Sequence, residues 1–234
     1  MARTNHETDS STDPSATETD GERLRRFAGS RPDSLGDIRE TYADQADTFA
    51  RMAPLDRLLL GRYRRRLFGR ASGRVLDVAC GVGTNARYVP ETTDYVGVDL
   101  SPEMLERAEN RVERLRRGET LLEMDAQALA FPDDRFDTVV SSLTTCTFPD
   151  PVAALNEMGR VCAPDGRVLL LEHGRSSVEA VGRFQDWRAD AHYEKHSCRW
   201  NQEPLEVVSR SKLSVKASRT GLFGVLTAMR ADPE

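Results

Sequence analysis

Short apolar runs recur through the middle of the chain, at 75–79, 95–99, 121–124, 138–141 and 168–172. Each is rich in Val and Leu and nearly continuous, which is the pattern of parallel strands covered on both faces. Between them the apolar period lengthens. Met104, Leu105, Ala108, Val112 and Leu115 recur at intervals of three and four, behind Ser101 as N-cap and Pro102 in the first turn, with Gly118 as the stop. Asp150 and Pro151 open another helix in the same way, closed by a turn at Pro164 and Gly166. Ahead of the first strand, Tyr42, Phe49, Leu55, Leu58, Leu59, Tyr63 and Leu67 make Leu35 to Phe68 helical.

This alternation predicts a doubly wound, Rossmann-like α/β sheet with right-handed crossovers. The end of the chain departs from it. Two further strands, at 212–218 and 224–230, are joined by only five residues, too few for a parallel crossover. The expected sheet is therefore seven-stranded, mostly parallel, with an antiparallel last strand.

The stretch from Arg74 to Pro90 reads as a buried strand, a glycine turn and then a helix. Gly81 and Gly83 at such a junction mark a ligand lying on the backbone. With Ala86 the spacing even fits the dinucleotide fingerprint, so an NAD(P)-binding oxidoreductase is one reading. Asp77, four residues before Gly81, speaks against it: a carboxylate repels a pyrophosphate and attracts an ammonium.

Composition narrows the classes. Residues 1–22 hold Arg3 against six acidic residues and account for the whole net charge of −5. Residues 1–34 are thus expected to be a disordered acidic tail, 35–234 the domain and 35–70 its helical cap. The neutral body argues against a nucleic-acid footprint. The chain contains no apolar run long enough to cross a membrane, and its first thirty residues lack the apolar core of a secretion signal. Cys80, Cys146, Cys162 and Cys198 form no CxxC pair, which suits reduced thiols and a cytoplasmic setting.

Four stretches, VLDVACGVG, YVGVDLSPEML, EMDAQALAFPDDRFDTVVSS and LNEMGRVCAPDGRVLLLEH, resemble in order and spacing the motifs of class I S-adenosylmethionine (SAM) methyltransferases. They most resemble the small-molecule branch with ubiquinone/menaquinone-type, phospholipid N-methyl- and alkyl-thiol methyltransferases, from Tyr42 to His173. The resemblance implies transfer of a methyl group from SAM to a small-molecule or lipid-like acceptor, leaving S-adenosylhomocysteine (SAH). It also implies residue roles. Asp77 fixes the methionyl end, and the backbone at Ala79, Cys80, Gly81 and Gly83 lines the amino acid and ribose. Asp99 takes the ribose hydroxyls, Leu100 and Met104 sandwich the adenine, and Asp125 and Ala126 meet its edge. Ser141 and Ser142 sit beside the sulfonium, under Tyr42. The family usually has Gly where this chain has Ala79, which leaves a non-catalytic SAM- or SAH-binding protein as another alternative.

Glu172 and His173 end the fifth strand, where active sites open in such sheets, and are the candidates for a general base or substrate contact. Cys146 reads as a small loop residue. His192, His196 and Cys198 have metal-like spacing, but no fourth ligand is evident nearby, so no metal is expected and the segment reads as pocket lid or surface. Residues 175–201, with Tyr42, are expected to cover the substrate. In the basic run 62–70, Arg62, Arg64, Arg65, Arg66 and Arg70 read as a solvated helix face, with contact to anionic lipid as the sharper alternative.

Overall fold

The computed structural model describes residues 34–115 and 120–234. The expected tail and the Gly118 helix stop lie outside these residues. Helix α1 (Leu35–Phe68) starts on a capping box: the Ser34 hydroxyl accepts from the Asp37 amide, and the Asp37 carboxylate accepts from the Ser34 amide. Its C-terminal turn buries Leu67 and Phe68 against the sheet. The strands are β1 (Arg74–Val78), β2 (Asp94–Asp99), β3 (Thr120–Glu123), β4 (Phe136–Ser142), β5 (Cys162–His173), β6 (Leu213–Gly221) and β7 (Leu226–Pro233). Helices α2 (Pro102–Arg114), α3 (Pro151–Val161), α4 (Glu179–His196) and α5 (Pro204–Ser209) complete the described elements.

The sheet order is β3-β2-β1-β4-β5-β7-β6. Pairs from β3 through β5 are parallel, and β7 runs antiparallel to both β5 and β6. This is the expected seven-stranded, Rossmann-like sheet. Alternate strand residues face opposite layers, as the two-residue side-chain period requires. Leu76, Val78, Val139 and Leu170 pack on one face with Leu155 and Met158 of α3 and Val208 of α5. Val75, Val140, Leu169 and Leu171 pack on the other with Phe68 of α1 and Val112 of α2. The chain reverses its winding between β1 and β4, and the carboxyl ends of these strands leave the crevice in which such sheets bind ligands.

Two sequence expectations need correction. The helix expected after the glycine turn is only a three-residue 3-10 turn, Ala86–Tyr88. Pro90 is the reason. It has no N–H to continue a helix, and it disfavours helical backbone at Val89, which is extended (φ −80°, ψ 136°). The turn at Pro164 and Gly166 does not precede a fresh strand either. β5 already begins at Cys162, paired with Phe136, and residues 163–166 bulge out before pairing resumes between Thr138 and Arg167.

Candidate functional site

A cavity of about 790 Å³ opens over the carboxyl ends of β1, β2 and β4, roofed by α1. Its floor is the turn that leaves β1. Ala79, Gly81 and Gly83 all adopt left-handed backbone, with φ of 52°, 55° and 72°. A Cβ on Gly81 would meet no protein atom within 4 Å, whereas one on Gly83 would lie 3.2 Å from Ala108 Cα and Cβ. Gly81 therefore keeps cavity space free, and Gly83 lets α2 pack against the turn.

Asp99, at the end of β2, is 9% exposed and lines the cavity. Its Oδ2 accepts from the Gly81 amide at 2.8 Å and its Oδ1 from the Ser101 amide at 3.0 Å. Burial raises its carboxyl above the usual range, against the pull of these backbone donors. One carboxylate thus staples the glycine turn to the start of α2 and keeps acceptor capacity for a ligand. Leu100, Met104, Asp125, Ala126, Cys80, Tyr42 and Ser142 share the same lining. Tyr42 packs beside Met104 and Val82 and stacks on Phe49 at 6.0 Å. Burial holds its hydroxyl protonated, well above the ordinary tyrosine range, so it acts as a neutral polar group.

Four other sequence-named residues lie behind the wall. Asp77 is fully buried, its oxygens taken by the Asn85 amide (2.9 Å) and the Tyr95 hydroxyl (2.6 Å). The Ser141 hydroxyl donates to the Val78 carbonyl at 2.8 Å and meets the Thr144 hydroxyl at 2.6 Å, and Ser141 is not part of the lining. Glu172, fully buried, accepts from the Thr144 and Thr145 amides at 3.0 and 3.2 Å and shapes the loop after β4. His173 points into the same layer, 3.1 Å from the Cys146 sulfur. Residues 175–201 supply none of the cavity lining; Arg199 and Gln202 bond instead to the loop at 144–148.

Arg64 is the residue that the sequence reading misplaced. It was grouped with a solvated basic face, yet it is 3% exposed and lines the cavity. Its guanidinium donates to Asn85 Oδ1, to Ser142 Oγ at 2.5 Å and to Asp56 Oδ1 at 2.9 Å. Among the described residues, Arg64 Nε and Asp56 Oδ2 are buried with no hydrogen-bond partner. Arg62, Arg65, Arg66 and Arg70 are exposed, as a helix face would be.

Burial raises the Asp77 carboxyl from 3.8 to about 6, against the hydrogen bonds of Tyr95 and Asn85. The folded state thus holds this proton more tightly than the unfolded chain. The stability it contributes is full below 3.8 and is lost as pH rises through about 6. In urea denaturation, Asp77→Asn should gain on the wild type across that window; a pH-independent difference would show that the carboxyl titrates alike in both states.

A methyltransferase-domain family model matches residues 76–170. A phosphatidylethanolamine N-methyltransferase of Cereibacter sphaeroides is 36% identical over 170 residues, covering 68% of this chain and 80% of that protein. The mitochondrial methyltransferase OMS1 of Saccharomyces cerevisiae is 30% identical over 212 residues, 80% of this chain but only 44% of the yeast protein. Among solved structures, a SAM-dependent methyltransferase from Aquifex aeolicus shares the fold at a TM-score of 0.60 and 15% identity, covering 81% of this chain and 98% of that one. The chain belongs to the class I SAM-dependent methyltransferase superfamily.

Proposed function

We propose that the protein transfers a methyl group from SAM to a small, apolar, lipid-like acceptor bound in the same cavity. The observation that carries this reading is Asp99, a buried carboxylate held by two backbone amides beside a glycine turn whose Cβ space is open. That arrangement suits a ribose diol. Arg64 and Asp56 both line the cavity and supply one cationic and one anionic group, the pair that a carboxylate and an ammonium require. Arg64 and Asp56 therefore take the methionyl end in this reading, and Asp77 supports them from behind through Asn85.

SAM supplies an electrophilic methyl group on a sulfonium that leaves as a neutral sulfide. What the chain must contribute is alignment and exclusion of water, and alignment alone supplies a large part of such accelerations. No step is assigned to Glu172 or His173, since both are engaged behind the loop at 144–147. The acceptor's class follows from the walls: Phe49, Met52, Leu55 and Leu59 of α1, with Phe148 and Leu222, form an apolar side that is partly open to solvent. The exposed Arg62, Arg65 and Arg66 lie on the same helix, with Arg70 just beyond it, which suits an acceptor presented at an anionic lipid surface. The name of the Cereibacter relative agrees with a lipid acceptor.

The test is turnover of methyl-labelled SAM with phosphatidylethanolamine vesicles, alkyl thiols and quinols in parallel. Label in an organic-extractable product and matching release of SAH are expected. SAH binding without label transfer to any of these apolar acceptors would point to the non-catalytic alternative.

The glycines separate binding from folding. Gly81→Ala should fold with a loss of about 1–2 kcal/mol from left-handed backbone, yet bind SAH at least tenfold more weakly (~1.4 kcal/mol), because its methyl group enters the cavity. Gly83→Ala should lose more stability than Gly81→Ala, because its methyl group also presses on Ala108. Denaturation curves and SAH titrations of both variants check this; equal SAH affinity in Gly81→Ala and wild type would remove the ligand from that turn.

A further inference from the structure

Behind the cavity wall, three soft ligand atoms converge from segments far apart in the chain. Cys146 comes from the loop after β4, His173 from the end of β5 and Cys198 from just beyond α4. The two sulfurs are 3.4 Å apart, and His173 Nε2 lies 3.1 Å from Cys146 Sγ and 3.5 Å from Cys198 Sγ. We propose that Cys146, His173 and Cys198 supply three ligands to a zinc-class divalent ion. The site is built from residues that the proposed methyl transfer does not use, so it stands independently of that reading.

The geometry fits. With Zn–S near 2.3 Å and Zn–N near 2.0 Å, the edges of a tetrahedron are about 3.5–3.8 Å. The observed separations need only a few tenths of an ångström of expansion to admit the ion. Both cysteines are free thiols. Two thiolates cancel the charge of a divalent ion and a neutral imidazole adds none, so loading releases two protons to solvent and leaves a neutral buried centre. Sulfur and imidazole nitrogen select zinc over magnesium or calcium, which take oxygen ligands.

The surroundings hold the ligands in place. His173 also hydrogen-bonds the Trp200 backbone, which fixes its ring beside the sulfurs. His192 hydrogen-bonds Cys198 and stacks on Trp200, with ring centroids 4.2 Å apart and planes within 8°. The Arg199 amide donates to the Cys146 carbonyl at 3.0 Å, and Gln202 Nε2 donates to Thr145 Oγ1 at 2.8 Å. An ion here ties the segment after α4 to the loop whose Thr144, Thr147 and Phe148 line the cofactor cavity. The proposal departs from the metal-free expectation for Cys198. Its partners are Cys146 and His173, 52 and 25 residues away in sequence, and these were not visible in the local His192–His196 spacing.

The test uses the full chain, reduced and stripped with a chelator, then titrated with cobalt(II) and back-titrated with zinc. The expected result is one cobalt per chain with thiolate-to-metal charge-transfer absorption and the d–d bands of a tetrahedral ion, displaced in full by zinc. Zinc should also slow alkylation of Cys198 in the wild type, and Cys198→Ser should weaken zinc binding about a hundredfold or more. Absence of the charge-transfer absorption would overturn the proposal. So would zinc-independent alkylation of Cys198, or a Cys146–Cys198 disulfide forming equally fast with zinc present.

Discussion

Asp99→Ala should weaken SAM binding by about 10- to 150-fold, equivalent to roughly 1.5–3 kcal/mol. SAH should weaken equally, because the two ligands share the ribose and differ only at sulfur. The loss has two physical sources. A carboxylate accepting two hydroxyls makes charge-assisted hydrogen bonds, stronger than neutral ones. The same carboxylate holds the Gly81 amide, so removing it also loosens the turn on which the ligand lies. Asp99→Asn separates the two. An amide oxygen can still accept from a backbone N–H, but its NH2 group cannot serve the second acceptor role, so the turn is partly retained while the diol loses one charge-assisted bond. Calorimetric titration of both ligands into folded variants checks the result. Wild-type affinity in Asp99→Ala would remove this carboxylate from the site.

Arg64→Met should cost about 3–5 kcal/mol of folding stability, the range for breaking a buried, hydrogen-bonded charge pair. The substitution leaves Asp56 of α1 without its cation and Asn85 Oδ1 without its guanidinium donor. Asn85 also bonds Asp77, so the disturbance reaches the strand that carries the glycine turn. The exposed neighbour supplies the contrast: Arg62→Met should stay within about 0.5 kcal/mol of wild type. Urea denaturation of both variants, monitored by far-ultraviolet circular dichroism, gives the comparison. Equal stability of Arg64→Met and wild type would mean that the guanidinium does not hold this layer together.

These residues show what the chain discloses before it folds. The sheet was legible because strands buried on both faces leave unbroken Val and Leu runs, and because five residues between the last two strands exclude a parallel crossover. Asp99 stood out for a similar reason, as a carboxylate closing an apolar strand 18 residues after Gly81. The short turn after the glycines is written in the sequence as well, in Pro90, which cannot continue a helix. Arg64 was not. It sits in a run of arginines, and only distant partners, Asn85 and Ser142, distinguish the buried one from its exposed neighbours. The placement of Asp77 was hidden in the same way: its two donors, Asn85 and Tyr95, come from a turn and a strand whose approach depends on the finished sheet. Cys146, His173 and Cys198 belong to this class as well, since each comes from a different element and no short spacing links them.

The central claim is that the cavity over β1, β2 and β4 binds SAM on Asp99 and the glycine turn. Isothermal titration of SAH into the full chain, alone and with excess NAD, tests it most directly. The expected result is saturable binding of one SAH per chain, unchanged by NAD and weakened about 10- to 150-fold in Asp99→Ala. No measurable binding of SAH, or its displacement by NAD, would contradict the account.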